Sequence, residues 1–593
     1  METGLSRRAR GALFALLALG FLLRLFLAWA PISYLASRGA LVDDAFYSFS
    51  IARHVAAGHG PTADGIHPTS GFQPLYTFLL VPFYLLTRGD AILPIHLALT
   101  LLSVAGAATG VFLFRIVWRS AGVSAALFSL FLWTFAPYFL SQGQNGLETG
   151  LFGLALAATL DFYLRRARED PRRADLCLLG LLLGVTILAR VDGVLFAAAV
   201  AIDQLLVGRA LRRTIPRVAL TAAIALVTVS PYLLFLWLRF GVLLPESGAA
   251  VRFLSLCYGT LFVLGPRAAY FFPPEQVPWA YYAGSLRKAV QILISEPLLF
   301  PASLPLYLAS IARLFNPRAL LLVFGGGALL ALNLLPLARS KGEARSLLRV
   351  GTICAAFWVP AYAWGVLGQW WFTRYFFPLF LLMAVASGLA LARLASSPFG
   401  RIGATRLAWL AAGVHLLLFA HQAPDHFFKH RPYENVSSYL QAAQVLDRAL
   451  PAGSRGGAFQ SGTIGYFARH PVINLDGVVN RDASRALREA RMADYIREEG
   501  IEAVIDWPLW LEALLIHRSP AGAGRSLGPV TPAGRFLLLR VEPAGNRVAR
   551  LSPWRPDSRT PRPPARHPRS RSSEAGAILR DATLQKYRSG PRK

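Results

Sequence analysis

The sequence predicts a polytopic α-helical membrane protein with about eleven transmembrane helices, followed by a smaller α/β domain outside the cytoplasm. Three observations predict it. Near-continuous apolar stretches such as 11–31, 91–114 and 218–238 each approach the ~20 residues that cross a bilayer. Basic clusters at 7–10, 115–119, 165–173, 209–217, 339–349 and 401–406 fall between apolar stretches, the pattern that marks cytoplasmic loops. After Gln422 the long apolar runs give way to short ones bounded by Gly and Asn.

With the basic clusters as cytoplasmic markers, the spans read as 11–30, 91–114, 121–140, 147–164, 175–190, 192–207, 218–238, 319–337, 350–367, 375–396 and 406–422. The first follows Arg7–Arg10 and lacks a convincing small-residue cleavage site before the next polar loop, so it reads as an uncleaved helix. Residues 74–87 are short and carry two prolines, and 297–314 carry three. Counting either as a crossing puts a later basic cluster on the wrong side, so both are expected as re-entrant or surface helices in the outer interface. The loops 31–90, 141–149, 239–296 and 368–374 then share the non-cytoplasmic face.

Residues 434–450 have apolar side chains at helical spacing. GGAFQ, TIGYFA, PVINLDG, EAVIDW and RFLLLRVE read as strands, with a helical stretch over 485–498. The expected domains are therefore 1–423 in the membrane, 424–545 as the extracytoplasmic α/β unit, and 546–593 as a disordered tail rich in Arg, Pro and Ser. The net charge of +29 resides in the loop clusters and this tail, which argues for membrane orientation rather than a nucleic-acid partner. Three cysteines, far apart, supply neither a disulfide framework nor a zinc set.

The polar residues that could carry chemistry gather on the outer face. Asp43 and Asp44 open an amphipathic segment that Gly58 would end. One of them could cap that helix, but two adjacent carboxylates at a membrane lip are costly to desolvate and point to function. A helix N-terminus keeps a carboxylate ionised, ready as a base or a cation ligand. In the turn-rich loop that follows, His54 and His59 read as solvated, whereas His67 and Gln73 are better placed to touch a ligand. Glu148 is either a first-turn helix acid or a site acid, and Arg190 with Asp192 either an internal ion pair or part of a site. Arg252 and Arg374 lie near the outer surface among aromatic residues, where a planar guanidinium suits phosphate. The alternative for Arg374 is snorkelling beside Trp370 and Trp371.

Taken in order, DDAFYSFSIARHVAAGHG, HPTSGFQPLY, NGLET, LAR-VDG, FGVLLPESGA and TRYFFPLF resemble the GT-C superfamily of polytopic glycosyltransferases. The likeness is nearest to the bacterial branch of arabinofuranosyltransferases and mannosyltransferase-like enzymes. GAFQSGTIGYF and PVINLDGVVN resemble the soluble domain of members of that branch, and the likeness runs from residue 1 to about 545. It implies a GT-C-like fold and transfer of a sugar from a polyprenyl-phosphate carrier to a hydroxyl of an envelope glycan, lipid or protein. Within that family an acidic pair in the first outer loop is used, so Asp43 or Asp44 is implied as the base, with Asp43 preferred. The same resemblance makes Glu148 a second site acid and Arg374 a contact to the carrier phosphate. The donor sugar has no readable signature. No cofactor is certain; a divalent cation held by Asp44 is an open alternative.

Glycosyl transfer from a lipid phosphate needs a base for the acceptor hydroxyl and a cation for the departing phosphate. The interface segment 74–87 is expected to offer an apolar groove for the prenyl chain. The implied location is a bacterial inner membrane, with the site and the α/β domain outside the cytoplasm. Three other classes stay open. A ligase acting on a diphosphate-linked glycan would use the long loop 239–296. A lipid-linked-sugar transporter would need a polar path through the bundle and paired repeats, neither of which is evident. A receptor would use 424–545 as its binding module.

Overall fold

The computed structural model describes residues 5–208, 210–264, 342–366, 373–395, 436–507, 537–542 and 550–553, with 285–286, 289, 406, 409, 412–413, 416–417, 420 and 510–511. All of them belong to one compact unit, Met1–Pro553. The expected helices at 297–314 and 319–337, the residues of the 368–374 loop before 373, and the tail from 554 lie outside the described residues, as does most of 406–422.

The chain enters the membrane through α1 (Arg7–Ala28), capped by Ser6, whose Oγ accepts the Ala9 N–H at 3.2 Å. Its first polar excursion holds three helices, α2 (Ile32–Arg38), α3 (Ala45–Ala56) and α4 (Pro74–Thr87). Gly58 follows α3 with φ +85°, ending it where the sequence predicts. Helix α4 is 14 residues long, with Pro74 at its start, where a missing N–H costs nothing. The chain returns through α5 (Leu93–Ala121), antiparallel to α1: His96 Nδ1 lies 2.6 Å from the Ala28 carbonyl oxygen, and its ring stacks on Trp29.

The predicted span 121–140 is broken. α6 (Val123–Phe135) and α7 (Pro137–Gly143) meet at a 58° bend. Pro137 has no N–H for the carbonyl of Trp133, four residues back. Arg24 fills that gap: its Nη2 donates to the Trp133 carbonyl at 3.0 Å and its Nη1 to that of Gly20 at 3.0 Å, with the side chain only 1% exposed. Next come α8 (Thr149–Phe162), α9 (Arg173–Ala189), α10 (Gly193–Val207), α11 (Leu211–Phe240) and α12 (Glu246–Leu264). α13 (Gly342–Pro360) and α14 (Phe377–Ala395) complete the described part of the bundle.

Among the described residues, five helices are long and apolar enough to cross a bilayer, or six if the bent pair counts as one. Of the eleven expected spans, 319–337 and most of 406–422 lie outside the described residues, so this count bears on the other nine. The predicted spans 147–164, 175–190 and 192–207 are helical, but α8, α9 and α10 have only 14, 17 and 15 residues.

The basic clusters meet in space. Asp161, fully buried near the end of α8, accepts from Arg119 at 2.7 Å, Arg165 at 2.9 Å and Arg115 at 3.3 Å, and Arg119 also pairs with Glu343 at 3.0 Å. Asp203 in α10 receives Arg349 at 2.6 Å and the Tyr163 hydroxyl at 2.6 Å. Three predicted cytoplasmic clusters therefore share one end of the bundle. Glu148 and Asp161 stand at opposite ends of α8, roughly 20 Å apart at 1.5 Å per residue.

Beyond α15 (Val436–Ala449) lies a five-stranded sheet in the order β2-β1-β3-β4-β5. Its strands are β1 (Arg455–Ala458), β2 (Val472–Asn474), β3 (Ile501–Asp506), β4 (Leu537–Glu542) and β5 (Arg550–Pro553). β1 pairs parallel with β2 and β3, and the last two pairings are antiparallel. TIGYFA is not the strand the sequence suggests; all but its last residue lies in a helix, α16 (Ser461–Phe467), because parallel neighbours need a crossover between them. The predicted helical stretch 485–498 is two helices, α17 (Arg481–Arg488) and α18 (Met492–Glu498), separated at Ala490 with φ +58°. Because β5 belongs to the sheet, ordered structure extends past the expected boundary at 545 into the predicted tail.

Replacing Arg24 with Met should leave the Trp133 carbonyl without its donor and lower stability by about 1–3 kcal/mol. A fall in the thermal midpoint in detergent would report this. An unchanged midpoint would show that the bend needs no such partner.

Candidate functional site

Opposite the basic end, a cavity of about 450 Å³ opens where residues of all four predicted outer loops converge with the C-terminal sheet. Asp44, Tyr47, Gln73 and Glu148 line it from the first half of the chain, Arg190, Asp192 and Val251 from the middle, and Tyr362, Arg374, Gln460 and Asp476 from the last part.

The two adjacent aspartates diverge. Asp44 occupies the N-cap position of α3, yet its side chain makes no capping bond; it forms an ion pair with the buried Arg374 at the cavity wall. Asp43 does not line the cavity. Its Oδ1 accepts the backbone N–H of Thr463 in α16 at 2.7 Å, and its buried Oδ2 has no hydrogen-bond partner among the described residues. Gly462 permits that approach, since a Cβ there would sit 2.3 Å from the Asp43 carbonyl oxygen. Burial pushes the Asp43 carboxyl up to about 6.

Arg190 and Asp192 form the internal pair that the sequence allowed, at 2.7 and 3.1 Å, and both also face the cavity. Glu148, at the N-cap position of α8, lies 3.8 Å from Arg190, and the Tyr362 hydroxyl bonds both Arg190, at 3.2 Å, and Asp192. Gln73 lines the cavity while its Oε1 accepts the Val191 N–H at 3.2 Å.

Two expected ligand contacts lie elsewhere. His67 is outside the cavity lining; its Nδ1 meets Asp64 at 2.7 Å and its Nε2 meets Glu499 at 3.2 Å, so it joins the first loop to the C-terminal sheet region. Burial pulls its pKa down, but the two carboxylates outweigh this and raise it. Arg252 is exposed on α12, whose Ser247, Gly248 and Val251 face the cavity instead; one residue further along a helix is a turn of about 100°. His59 is exposed as expected, whereas His54 is half-buried with Nδ1 2.8 Å from the Thr62 carbonyl oxygen.

A cation on Asp44 finds no supporting donor set. Among the described residues no three His, Cys, Asp or Glu side chains form a metal-binding group, and Asp44 faces a guanidinium.

Sequence reasoning missed Tyr47, Gln460 and Asp476. For Asp476 a signal was present: Asp-Gly directly follows the β2 run, and in open α/β sheets ligands lie at the carboxyl ends of parallel strands. Gln460 follows β1 in the same way, its N–H held at 2.8 Å by Asp506.

Adjoining this cavity is an apolar one of about 410 Å³ between α9, α10 and α11, and the two share Val191, Val194, Leu244 and Pro245. The α4 segment is not among its lining residues.

The structure is similar to that of ArnT from Cupriavidus metallidurans bound to undecaprenyl phosphate, with a TM-score of 0.52 at 15% identity, covering 89% of this chain and 97% of that one. The apo state of the same protein gives 0.53 at 16% identity, covering 91% and 98%. Residues 67–235 match the family described as dolichyl-phosphate-mannose-protein mannosyltransferase, and residues 429–540 match a domain family of unknown function. No curated protein matches the sequence. The chain thus has the fold of the GT-C superfamily of polytopic membrane glycosyltransferases.

Raising a carboxyl's native pKa makes folding weaker as its unfolded counterpart loses a proton first. For Asp43 that loss of stability runs from about pH 4, the unfolded value, to about 6. Asp43→Asn keeps an oxygen for the Thr463 N–H and should flatten the thermal midpoint across this window, making the variant more stable than wild type at pH 7. Equal pH profiles for the two proteins would contradict burial of this carboxylate.

Proposed function

We propose that this protein transfers a sugar from a polyprenyl-phosphate carrier to a hydroxyl acceptor at the outer face of a bacterial inner membrane. The observation that carries the reading is the Asp44–Arg374 pair in a polar cavity that runs into an apolar one. A lipid-borne phosphate needs both surroundings at once. The prenyl chain fits among the apolar side chains of α9, α10 and α11, rather than along α4 as the sequence suggested. The ArnT neighbour was crystallised with undecaprenyl phosphate, and the matched family is named for a dolichyl-phosphate sugar donor, which supports the same donor class here.

In this mechanism the acceptor O–H loses its proton to Asp44 as its oxygen bonds to the anomeric carbon. The bond from that carbon to the phosphate oxygen breaks, and the carrier phosphate leaves. Arg374 and Arg190 stabilise the charge that collects on the phosphate. Arg374 pairs with Asp44 and in this mechanism meets the phosphate, so it can set the distance from base to leaving group. Glu148 and the Tyr362 hydroxyl hold Arg190 in place. Asp43 serves as a positioning residue, fixing the start of α3 against α16 rather than meeting the substrate. The donor lipid stays in the bilayer and the acceptor arrives from water, which accounts for a site at the boundary.

Two outcomes test this. Asp44→Asn should lower transfer from undecaprenyl-phosphate-linked radiolabelled sugars by about 10²–10⁴-fold, whereas Asp43→Asn, which preserves the Thr463 contact, should lower it far less. The reverse order would return the base to Asp43. Ala198→Phe should fill the apolar cavity and weaken undecaprenyl phosphate binding by at least about tenfold, measured on the purified protein. Unchanged binding would move the prenyl chain elsewhere.

A further inference from the structure

We propose that Asp476 binds the acceptor hydroxyl, so that the C-terminal sheet supplies the acceptor half of the site; this rests on the glycosyl-transfer reading above. Asp476 belongs to the segment matched by a domain family of unknown function. Its side chain is 4% exposed, and the cavity it lines is the one that holds Asp44 and Arg374. Among the described residues no cation pairs with it, although Arg190 and Arg374 line the same cavity. A carboxyl kept away from guanidinium groups suits a hydroxyl partner and not a phosphate.

Its position divides the cavity into two regions of different chemistry. Val191, Val194, Leu244 and Pro245 connect to the apolar cavity and so mark the lipid side. Tyr47, Gln460, Asp476 and Val478 line only the polar cavity. An acceptor arriving from water meets this second group.

The carboxyl is held rigidly. Asp476 Oδ1 accepts the Val478 N–H at 2.8 Å, and Asn474 Oδ1 accepts the Gly477 N–H at 2.9 Å. Gly477 has φ +83°, and a Cβ there would lie 2.5 Å from the Ser484 Cα, so only glycine fits the turn. Asn474 Nδ2 also donates to Ser461 Oγ at 3.0 Å and to the Tyr47 hydroxyl at 3.3 Å, tying the turn to α3. Burial pushes the Asp476 carboxyl up to about 8, so near neutral pH it offers an acceptor alcohol both an O–H and a lone pair.

Maintaining the turn is the competing role, and Asn can do that with its own side-chain oxygen. The full-length protein, purified in detergent, is compared as wild type, Asp476→Asn and Asp476→Ala. Binding of undecaprenyl phosphate is measured first. Transfer from undecaprenyl-phosphate-linked radiolabelled sugars to inner-membrane vesicles, varied in amount as the acceptor source, is measured second. Both variants should bind undecaprenyl phosphate as wild type does, yet transfer about 10- to 100-fold more slowly, with half-saturation at more vesicle acceptor. Wild-type transfer by Asp476→Asn with loss only in Asp476→Ala would reduce Asp476 to a turn residue and overturn the inference, leaving glycosyl transfer intact. Parallel loss of carrier binding would put Asp476 on the donor side and also overturn it. A wild-type protein that transfers none of the sugars while still binding the carrier would remove the glycosyl-transfer reading, and this assignment with it.

Discussion

Everything at the polar end of this protein depends on the clamping of α3 between the membrane helices and the C-terminal sheet region. From below, the Asn145 carbonyl accepts the Val42 N–H at 3.3 Å, just before the helix begins. From above, Asp43 accepts the Thr463 N–H, and Arg53 donates to the Tyr466 carbonyl at 2.9 Å while lying over its ring. Phe46 and Phe49 pack against Tyr466 between these polar contacts. Buried hydrogen bonds set inside an apolar contact are strong because no water competes for them. The result is a fixed start to α3, and hence a fixed direction for Asp44.

The clamp also explains why two neighbouring acids serve different ends. One carboxylate joins two parts of the chain that are about 420 residues apart in sequence. Its neighbour turns into the cavity to meet Arg374, in the short 3-10 turn Thr373–Phe376 just before α14. A sheet region that docks through Asp43, beside the cavity-lining Asp44, completes the cavity with its own side chains, as Gln460 and Asp476 do. The C-terminal sheet region is therefore a wall of the cavity and not an appendage.

Charge is sorted along the bundle in the same spirit. At one end Asp161 and Asp203 are buried under arginines from several helices, which neutralises carboxylates that would otherwise be costly in a membrane. At the other end acids and guanidinium groups surround open space. The second arrangement leaves room for a ligand. Arg24 is a third case, a buried cation whose partners are backbone carbonyls, that of Gly20 in its own helix and that of Trp133 freed by the proline bend.

What the sequence by itself determined is the part governed by local composition. Apolar runs and the basic clusters between them mark the helices and sort the loops by face, and Asp44, Gln73, Glu148, Arg190, Asp192 and Arg374 all line one cavity. Tertiary structure alone decided orientation. Asp43 and Asp44 are the same residue type in the same segment, and only the distant Thr463 and Arg374 separate their roles. His67 was drawn to Glu499 and Arg252 turned outward, because each side chain's direction follows from partners or packing hundreds of positions away or one helical step along. TIGYFA became a helix once β1 and β2 paired in parallel, and Asp476 joined the site only when that sheet met α3. Local patterns fix which surfaces are wet or greasy; long-range pairing fixes which atom faces the ligand.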